Sequence, residues 1–313
     1  MLIRLAAAVF AWVLITPSAS AQVRRVAVTI DDLPTASVLG DEIGEAERIT
    51  RGLVAALVRH KVPAIGFVNE RKLQPEGTVE PRRVALLQHW IDAGLELGNH
   101  TYSHCNLHTT PLEEFQKEIL DGEKITRGLL HKAGKPLEFF RHPFLRTGRN
   151  QEMRARLETF LQKHGYRVAP VTIDNYDYIF AAAYDRACAR GDDPAARKIA
   201  SAYLEYMEAV TAFYEQQSIA IVGREIPQTL LLHANALNAA TFDDLARMLL
   251  RRGYGFVSLA EALKDPAYAS ADAYYGPAGI TWLHRWAITA KMPGSTFAGE
   301  PVVPEWIERA AQP

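Results

Sequence analysis

The alternation of short apolar runs with amphipathic stretches constrains the fold of this chain more than any other feature. Short runs rich in β-branched residues predict strands, and apolar residues about three to four positions apart predict helices. Alternating strands and helices are typical of a parallel sheet, because each helix returns the chain to the same end of the sheet. Seven strands are predicted in this way: Arg24–Ile30, Ala64–Val68, Leu95–Gly98, Leu137–Phe140, Tyr166–Ile173, Thr229–Leu232 and Gly255–Leu259.

Helical patterns fill most of the gaps between these strands. Gly94, Gly165 and Gly253 stand where helices should end, since glycine readily takes the left-handed conformation that closes a helix. The long crossover 175–228 carries an aromatic and apolar stripe at helical spacing, which indicates packing, with a wall of a substrate groove as the alternative. The predicted helices are Glu45–His60, Pro81–Ala93, Pro111–His131, Asn150–His164, Ala195–Gln217 and Thr241–Arg252.

Polar, chemically capable residues follow six consecutive predicted strands. In a barrel of parallel strands these strand ends open on one face, where such barrels carry their active sites. An open doubly wound sheet would gather them along one edge and stays the alternative. We therefore predict an α/β fold, a distorted (β/α)7-type barrel of parallel strands with an extended C-terminal segment. The strand-end residues are Asp31 and Asp32, Asn69, His100, Arg141, Asp174 and Asp177, and His233.

The chain divides into three predicted segments. A basic start, an apolar stretch and the A-S-A sequence ending at Ala21 are typical of a secretory signal peptide over residues 1–21. Residues 22–265 would form the barrel, and residues 266–313 an aromatic-rich extension that packs on it or stacks on sugar rings. No later apolar run is long enough to span a membrane. We therefore expect a periplasmic or secreted protein.

The charge balance bears on the partners of the protein. The chain has 35 Lys and Arg against 36 Asp and Glu, a formal net charge of −1, and no basic block. A near-neutral chain of this kind argues against nucleic acid or an anionic membrane surface as the main partner. The two cysteines, Cys105 and Cys188, are too few for a disulfide scaffold, and their pairing is left open.

A candidate metal site follows from residues after the first and third strands. His100 and His104 are four positions apart, close enough for both imidazoles to reach one ion. A carboxylate pair, Asp31 and Asp32, occupies the equivalent place after the first strand. One carboxylate and two imidazoles leave coordination positions open, as a catalytic site requires. We expect a divalent metal, with Zn²⁺ as the first choice and Co²⁺ or Ni²⁺ as ions that the same ligands accept.

The other strand-end residues suit hydrolysis. One carboxylate of the pair can bind the ion while the other accepts a proton from water activated by the metal. Arg141 would orient that carboxylate and keep it ionised. His233 can protonate a leaving nitrogen, and Asp177 or Asp174 would hold this imidazole and raise its pKa.

Five motifs in order resemble those of the polysaccharide deacetylase family, carbohydrate esterase family four, whose domain is also called the NodB homology domain. The resemblance covers most of the chain from Val26 to about Leu259, and its motifs are T-I-D-D-L-P, H-T-Y-S-H, R-H-P-F, D-N-Y-D-Y and L-L-H. It implies a distorted barrel fold, in agreement with the strand pattern.

The resemblance also implies a role for each matched residue. Asp31 would be the general base, held by Arg141, and His233 the general acid with Asp177 as its partner. The backbone N–H near Phe144 would complete an oxyanion site with the ion. The implied metal ligands are Asp32, His100 and His104, and the implied substrate and oxyanion contacts are Pro143, Phe144 and Tyr178.

The activity implied is removal of N-acetyl groups from a glycan that contains N-acetylglucosamine, such as peptidoglycan or chitin. The chain departs from the usual family pattern at Leu33, Tyr178 and the Ala234-Asn235 pair, which reshapes the pockets without removing a ligand, the base or the acid. The alternatives are the same mechanism on another amide or on O-acetyl esters such as acetylxylan, and a non-catalytic glycan-binding protein.

Overall fold

One curved sheet of parallel strands organises the protein. The computed structural model describes residues 24–40 and 42–313, and the predicted signal peptide lies outside the described residues. The strands are β1 Arg24–Leu33, β2 Ile65–Val68, β3 Glu96–Asn99, β4 Phe139–Phe140, β5 Arg167–Val168, β6 Gln228–His233 and β7 Tyr254–Phe256.

The sheet curls toward a barrel. Its strand order is β5-β4-β3-β2-β1-β6, and β7 pairs with the start of β1. An isolated parallel bridge between Ile173 and Leu230 connects the chain after β5 to β6, so the two ends of this order meet. The predicted α/β fold with a distorted barrel of parallel strands is thereby confirmed.

Helices cover the outside of the sheet. Helix α1 packs against α2 and α8, and α6 packs against α7, α8 and α11. In the described part of the chain the helices are α1 Ile43–Arg59, α2 Pro81–Asp92, α3 Leu112–Asp121, α4 Lys124–Lys132, α5 Gln151–Lys163, α6 Asp177–Ala189, α7 Asp193–Val222, α8 Ala236–Arg251, α9 Leu259–Ala262, α10 Trp282–Thr289 and α11 Glu305–Ala310.

Strand β1 sorts its side chains onto two faces. Val28 belongs to the large apolar core between sheet and helices. Ala27 belongs to a smaller cluster with Phe67 and Phe139. Because successive side chains of a strand point to opposite faces, Asp31 shares the face of Ala27, which is the inside of the curved sheet.

Helix α6 was not predicted, and two predicted elements are wrong in their extent for a clear physical reason. The predicted helix Pro111–His131 is two helices, because the chain breaks at Gly122, where a Cβ atom would lie 2.5 Å from the carbonyl carbon of Thr101. The predicted strand Tyr166–Ile173 ends early, because the later residues leave β4 and bond to β6; the Ile173 N–H donates to the Thr229 carbonyl at 3.0 Å.

The buried residues of the two aromatic segments contribute to packing. The stripe of α7 is buried, and none of it lines the main cavity described below. It consists of Tyr203, Tyr206, Met207, Val210, Phe213 and Tyr214. Trp282 and Trp286 of α10 are buried too.

Cys105 and Cys188 are unpaired. Among the described residues, no helix combines the length and apolar character that crossing a membrane demands.

Gly98 in β3 and Gly128 in α4 should respond oppositely to alanine. A Cβ at Gly98 would lie 2.4 Å from the Phe67 ring, whereas a Cβ at Gly128 would have no neighbour within 4 Å. We predict that Gly98→Ala lowers the free energy of unfolding by about 1–3 kcal/mol through overpacking. Gly128→Ala should raise it by about 0.5–1 kcal/mol, because alanine favours the helix. Urea unfolding of both variants measures this; a Gly98→Ala protein as stable as wild type would contradict the packing described.

Candidate functional site

A cavity opens at the carboxyl ends of the strands. Its volume is about 840 Å³, within the range of roughly 300–1,000 Å³ that is common for ligand sites. It lies where parallel barrels carry active sites. The polar side chains that line it include Asp31, Asp32, Lys72, His100, His104, Asp174, Asn175, Asp185 and His233.

A local irregularity at the end of β1 turns two adjacent carboxylates toward the same imidazole. The pairing of β1 with β2 shifts register between Ile30 and Leu33, and Asp32 has a φ of 70°. In a regular strand the two neighbouring side chains would face opposite sides of the sheet. Here His100 Nε2 lies 3.7 Å from Asp31 Oδ2 and 3.8 Å from Asp32 Oδ1.

The loop after β3 presents its two imidazoles in fixed orientations. The Nδ1–H of His100 donates to the carbonyl of Arg141 at 2.8 Å, which leaves Nε2 free for a metal. The Asn69 side chain donates to the His100 carbonyl at 2.7 Å. His104 has a φ of 59°, and its Nε2 lies 3.7 Å from Asp32 Oδ1. The predicted strand-end residue Asn69 therefore shapes the loop.

Asp32, His100 and His104 could hold a metal ion. Their ligand atoms lie within 4.8 Å of one another. Asp32 Oδ1 is buried without a hydrogen-bond partner, although it faces both imidazoles. Burial lowers the pKa of His100 and of His104, which favours the neutral imidazole that binds a metal. Three ligands leave positions free for water and substrate.

Asp31 is a buried carboxylate with an arginine beside it. Burial raises its pKa to about 6, against the opposing charge of Arg141. Arg141 Nε lies 3.8 Å from Asp31 Oδ1, and this oxygen has no hydrogen-bond partner. Arg141 Nη2 donates to the Thr29 hydroxyl at 2.7 Å, and the guanidinium lies over the Phe67 ring at 4.8 Å. The pKa of Asp31 therefore lies close to neutral pH, where this carboxylate can both accept and release a proton.

His233 and Asp177 form a close pair. Asp31 and His233 are register partners on β1 and β6, so the pair lies beside the buried carboxylate. His233 Nδ1 lies 2.7 Å from Asp177 Oδ1. Burial opposes the charge on His233, but Asp177 outweighs this effect and raises the pKa of the imidazole to about 10. Of the two acidic partners that the sequence offered, the contact is made by Asp177 and not by Asp174.

The turn Pro143–Leu145 and the start of α6 border the cavity. Phe144 is 51 % exposed and its ring centre lies 4.5 Å from that of His104. Tyr178 is 52 % exposed and its ring centre lies 6.1 Å from that of His233. Both residues line the cavity, whereas the buried Pro143 lies behind this surface.

Two sets of contacts at the site were not predicted from the sequence. Lys72 Nζ donates to the carbonyls of Asp32 and Thr35, both at 3.0 Å, and lies 3.8 Å from Asp32 Oδ1. Asn238 donates to Asp177 Oδ2 at 2.7 Å and accepts from the Tyr203 hydroxyl at 2.6 Å. The Asn-rich start of α8 was the available signal for the second set; no local pattern marked Lys72.

Comparison with known proteins confirms the predicted family resemblance. Residues 19–169 match the family model described as polysaccharide deacetylase. The matched segment carries Asp31, Asp32, both imidazoles and Arg141, in agreement with the motifs on which the resemblance rests. Asp177 and His233 lie beyond the matched segment. No curated protein gives a significant match to the chain.

Several solved structures are similar to this chain. A family 4 carbohydrate esterase from Streptomyces lividans, in complex with acetate, is 19 % identical, with 76 % of this chain and 95 % of that chain covered and a TM-score of 0.46. The peptidoglycan deacetylase PdaC from Bacillus subtilis is 20 % identical, with 79 % and 95 % covered and a TM-score of 0.47. A family pseudoenzyme from Bacillus anthracis is 17 % identical, with 77 % and 66 % covered and a TM-score of 0.47.

Metal binding should depend on His104 and not on a histidine elsewhere. We predict that His104→Ala weakens Zn²⁺ binding by more than about 100-fold, since losing a ligand costs more than the roughly 10- to 100-fold cost of losing an outer-shell partner. The exposed His131 of α4 supplies the control, and His131→Ala should bind as wild type does. Titration calorimetry with Zn²⁺ measures both; undiminished binding by His104→Ala would remove it from the ligand set.

Proposed function

We propose that the protein is an exported, metal-dependent deacetylase that removes N-acetyl groups from a glycan containing N-acetylglucosamine, such as peptidoglycan or chitin. One observation carries this proposal: a buried carboxylate, three side chains that could hold a metal ion and an imidazole paired with a second carboxylate meet at one cavity. The match of residues 19–169 to the polysaccharide deacetylase family model supports a glycan substrate. The N-terminal pattern of residues 1–21 supports a periplasmic or secreted location.

The metal would be held by Asp32, His100 and His104, and Zn²⁺ is the ion we propose, with Co²⁺ or Ni²⁺ as alternatives. When bound, such an ion supplies Lewis acidity, which polarises an acyl oxygen and lowers the pKa of water. Lys72 and the backbone around Asp32 keep its carboxylate in place. The charge of Lys72 lowers the pKa of Asp32 against the effect of burial, so this carboxylate stays ionised.

Asp31 would act as the general base. A water molecule attacks the acetyl carbon and loses a proton to the Asp31 carboxylate. Arg141 remains charged and holds Asp31 by charge across 3.8 Å. The backbone N–H near Phe144 would donate to the oxyanion that forms as the carbonyl becomes tetrahedral.

His233 would act as the general acid. Its Nδ1 faces Asp177, so Nε2 carries the proton for the leaving nitrogen when the C–N bond breaks. Acetate and a free amine are the products. An amine leaves poorly without a proton, and the raised pKa of His233 keeps that proton available at neutral pH. This favours an amide over an ester as the substrate.

The mouth of the cavity suits a sugar chain. Phe144, Tyr176 and Tyr178 expose 51 %, 41 % and 52 % of their surfaces there. Aromatic rings offer flat apolar faces with a polar edge, and such faces can cover the apolar face of a sugar. These three side chains are the substrate contacts that we propose.

We predict that Asp31→Asn abolishes acetate release and retains bound metal, because the amide preserves the shape of the side chain but accepts no proton. The test is acetate release from chitooligosaccharides, peptidoglycan and acetylxylan, with a chelator control and metal content measured alongside. Release at the wild-type rate by Asp31→Asn would refute its role as base. Wild-type protein that binds metal but releases no acetate from any of the three would favour another amide or a binding function.

The pH profile should separate the acid from the base. Activity should rise as Asp31 ionises and fall as His233 loses its proton near pH 10, giving a bell-shaped curve. Asp177→Asn removes the charge that raises the pKa of His233, so the alkaline limb should move to lower pH, and by more than the acidic limb moves. Asp174→Asn is the matched control in the same cavity and should leave the alkaline limb in place. An unmoved limb in Asp177→Asn would contradict the assignment of the acid.

A further inference from the structure

We propose that the C-terminal segment 272–285 is part of the active site, with Gly279 and Arg285 as positioning residues for the turn Pro143–Leu145. The inference rests on the proposed function, because it gives that turn a role in the reaction. The segment lies outside residues 19–169, which the family model matches.

The turn has a backbone that other contacts must stabilise. Phe144 has a φ of 57° and Leu145 a φ of 52°. Residues with a side chain rarely adopt these left-handed values, which cost about 1–2 kcal/mol each. Such a conformation persists only where its surroundings determine it.

Gly279 packs directly against the turn. A Cβ atom at this position would lie 1.7 Å from the Phe144 carbonyl oxygen and 3.1 Å from Leu145 Cβ. No side chain fits this gap, so glycine is required for the close approach. Ala278 and Gly279 also line the cavity. The C-terminal segment therefore forms a wall of the site as well as a support behind the turn.

Arg285 donates hydrogen bonds to the last residue of the same turn and to Thr147 beyond it. It is 1 % exposed, and its Nη1 donates to the Leu145 carbonyl at 3.4 Å. Its Nη2 donates to the hydroxyl of Thr147. Its Nε donates to Asp272 Oδ2 at 2.7 Å, and the same oxygen accepts from Arg154 at 2.8 Å. A planar guanidinium with three partners fixes direction as well as charge.

Aromatic rings complete the support. The Arg285 guanidinium lies 4.8 Å from the Trp282 ring centre and 5.3 Å from that of Tyr274. The backbone N–H of Trp282 donates to the Val171 carbonyl at 2.7 Å, which connects the segment to the chain that closes the barrel. The Phe144 N–H is thus located by a network anchored in the barrel.

The test compares two glycines of the C-terminal region in the full chain. Gly279→Ala should displace the Phe144 carbonyl, whereas Gly294→Ala is the control, because a Cβ there meets nothing within 4 Å. For each protein, kcat and KM for acetate release, bound metal and amide hydrogen exchange of residues 144–149 are measured. If Gly279→Ala fails to fold, Arg285→Lys takes its place, since lysine keeps the charge but not the fork of donors.

We expect Gly279→Ala to lower kcat by at least about tenfold, since a misplacement near 1 Å can cost about 100-fold. KM should rise by a smaller factor than kcat falls, metal content should not change, and exchange at residues 144–149 should be faster. Gly294→Ala should match wild type in every measurement. Wild-type kcat and exchange in Gly279→Ala would overturn the proposal. If wild type releases no acetate, the proposed function fails separately, and exchange alone decides whether the segment holds the turn.

Discussion

Two adjacent carboxylates that face one point are the constraint on which the whole site depends. A regular strand would send Asp31 and Asp32 to opposite sides of the sheet. The shifted register after Ile30 and the φ of 70° at Asp32 bring both within 3.8 Å of His100 Nε2. Asp31 then remains inside the curved sheet, against Arg141, while Asp32 faces the cavity and both imidazoles. The backbone conformation at each of the two positions thus determines which groups its carboxylate contacts.

Burial and charge separate the titrations of these groups. Burial raises the pKa of Asp31 to about 6, whereas the charge of Lys72 lowers that of Asp32 against the effect of burial. Burial lowers the pKa of His100, whereas Asp177 raises that of His233 to about 10. Like groups with opposite shifts are typical of sites that divide acid, base and ligand roles among them. The arrangement follows from which strand end carries each residue and how deeply that end is buried.

The sequence was sufficient for the barrel and for the residues at its mouth, because both follow from local periods and from what stands after each strand. It missed the break at Gly122, since that break is caused by contact with Thr101 on another loop. The residues alone offered both Asp174 and Asp177 as partners of His233, because the register of the chain beside β6 is not a local property, and only the family resemblance selected Asp177. Lys72 and Arg285 were missed for the same reason: each acts through contacts with residues distant along the chain.

The most direct test is the location of the metal. An anomalous difference map recorded at the zinc edge, from crystals grown with Zn²⁺, should show one strong peak in the cavity, about 2.0–2.2 Å from Asp32, His100 and His104. The Asp31 carboxylate should lie beside this peak without coordinating it. A peak bound by Asp31 in place of Asp32, or a cavity without zinc under these conditions, would contradict the division of roles between the two carboxylates.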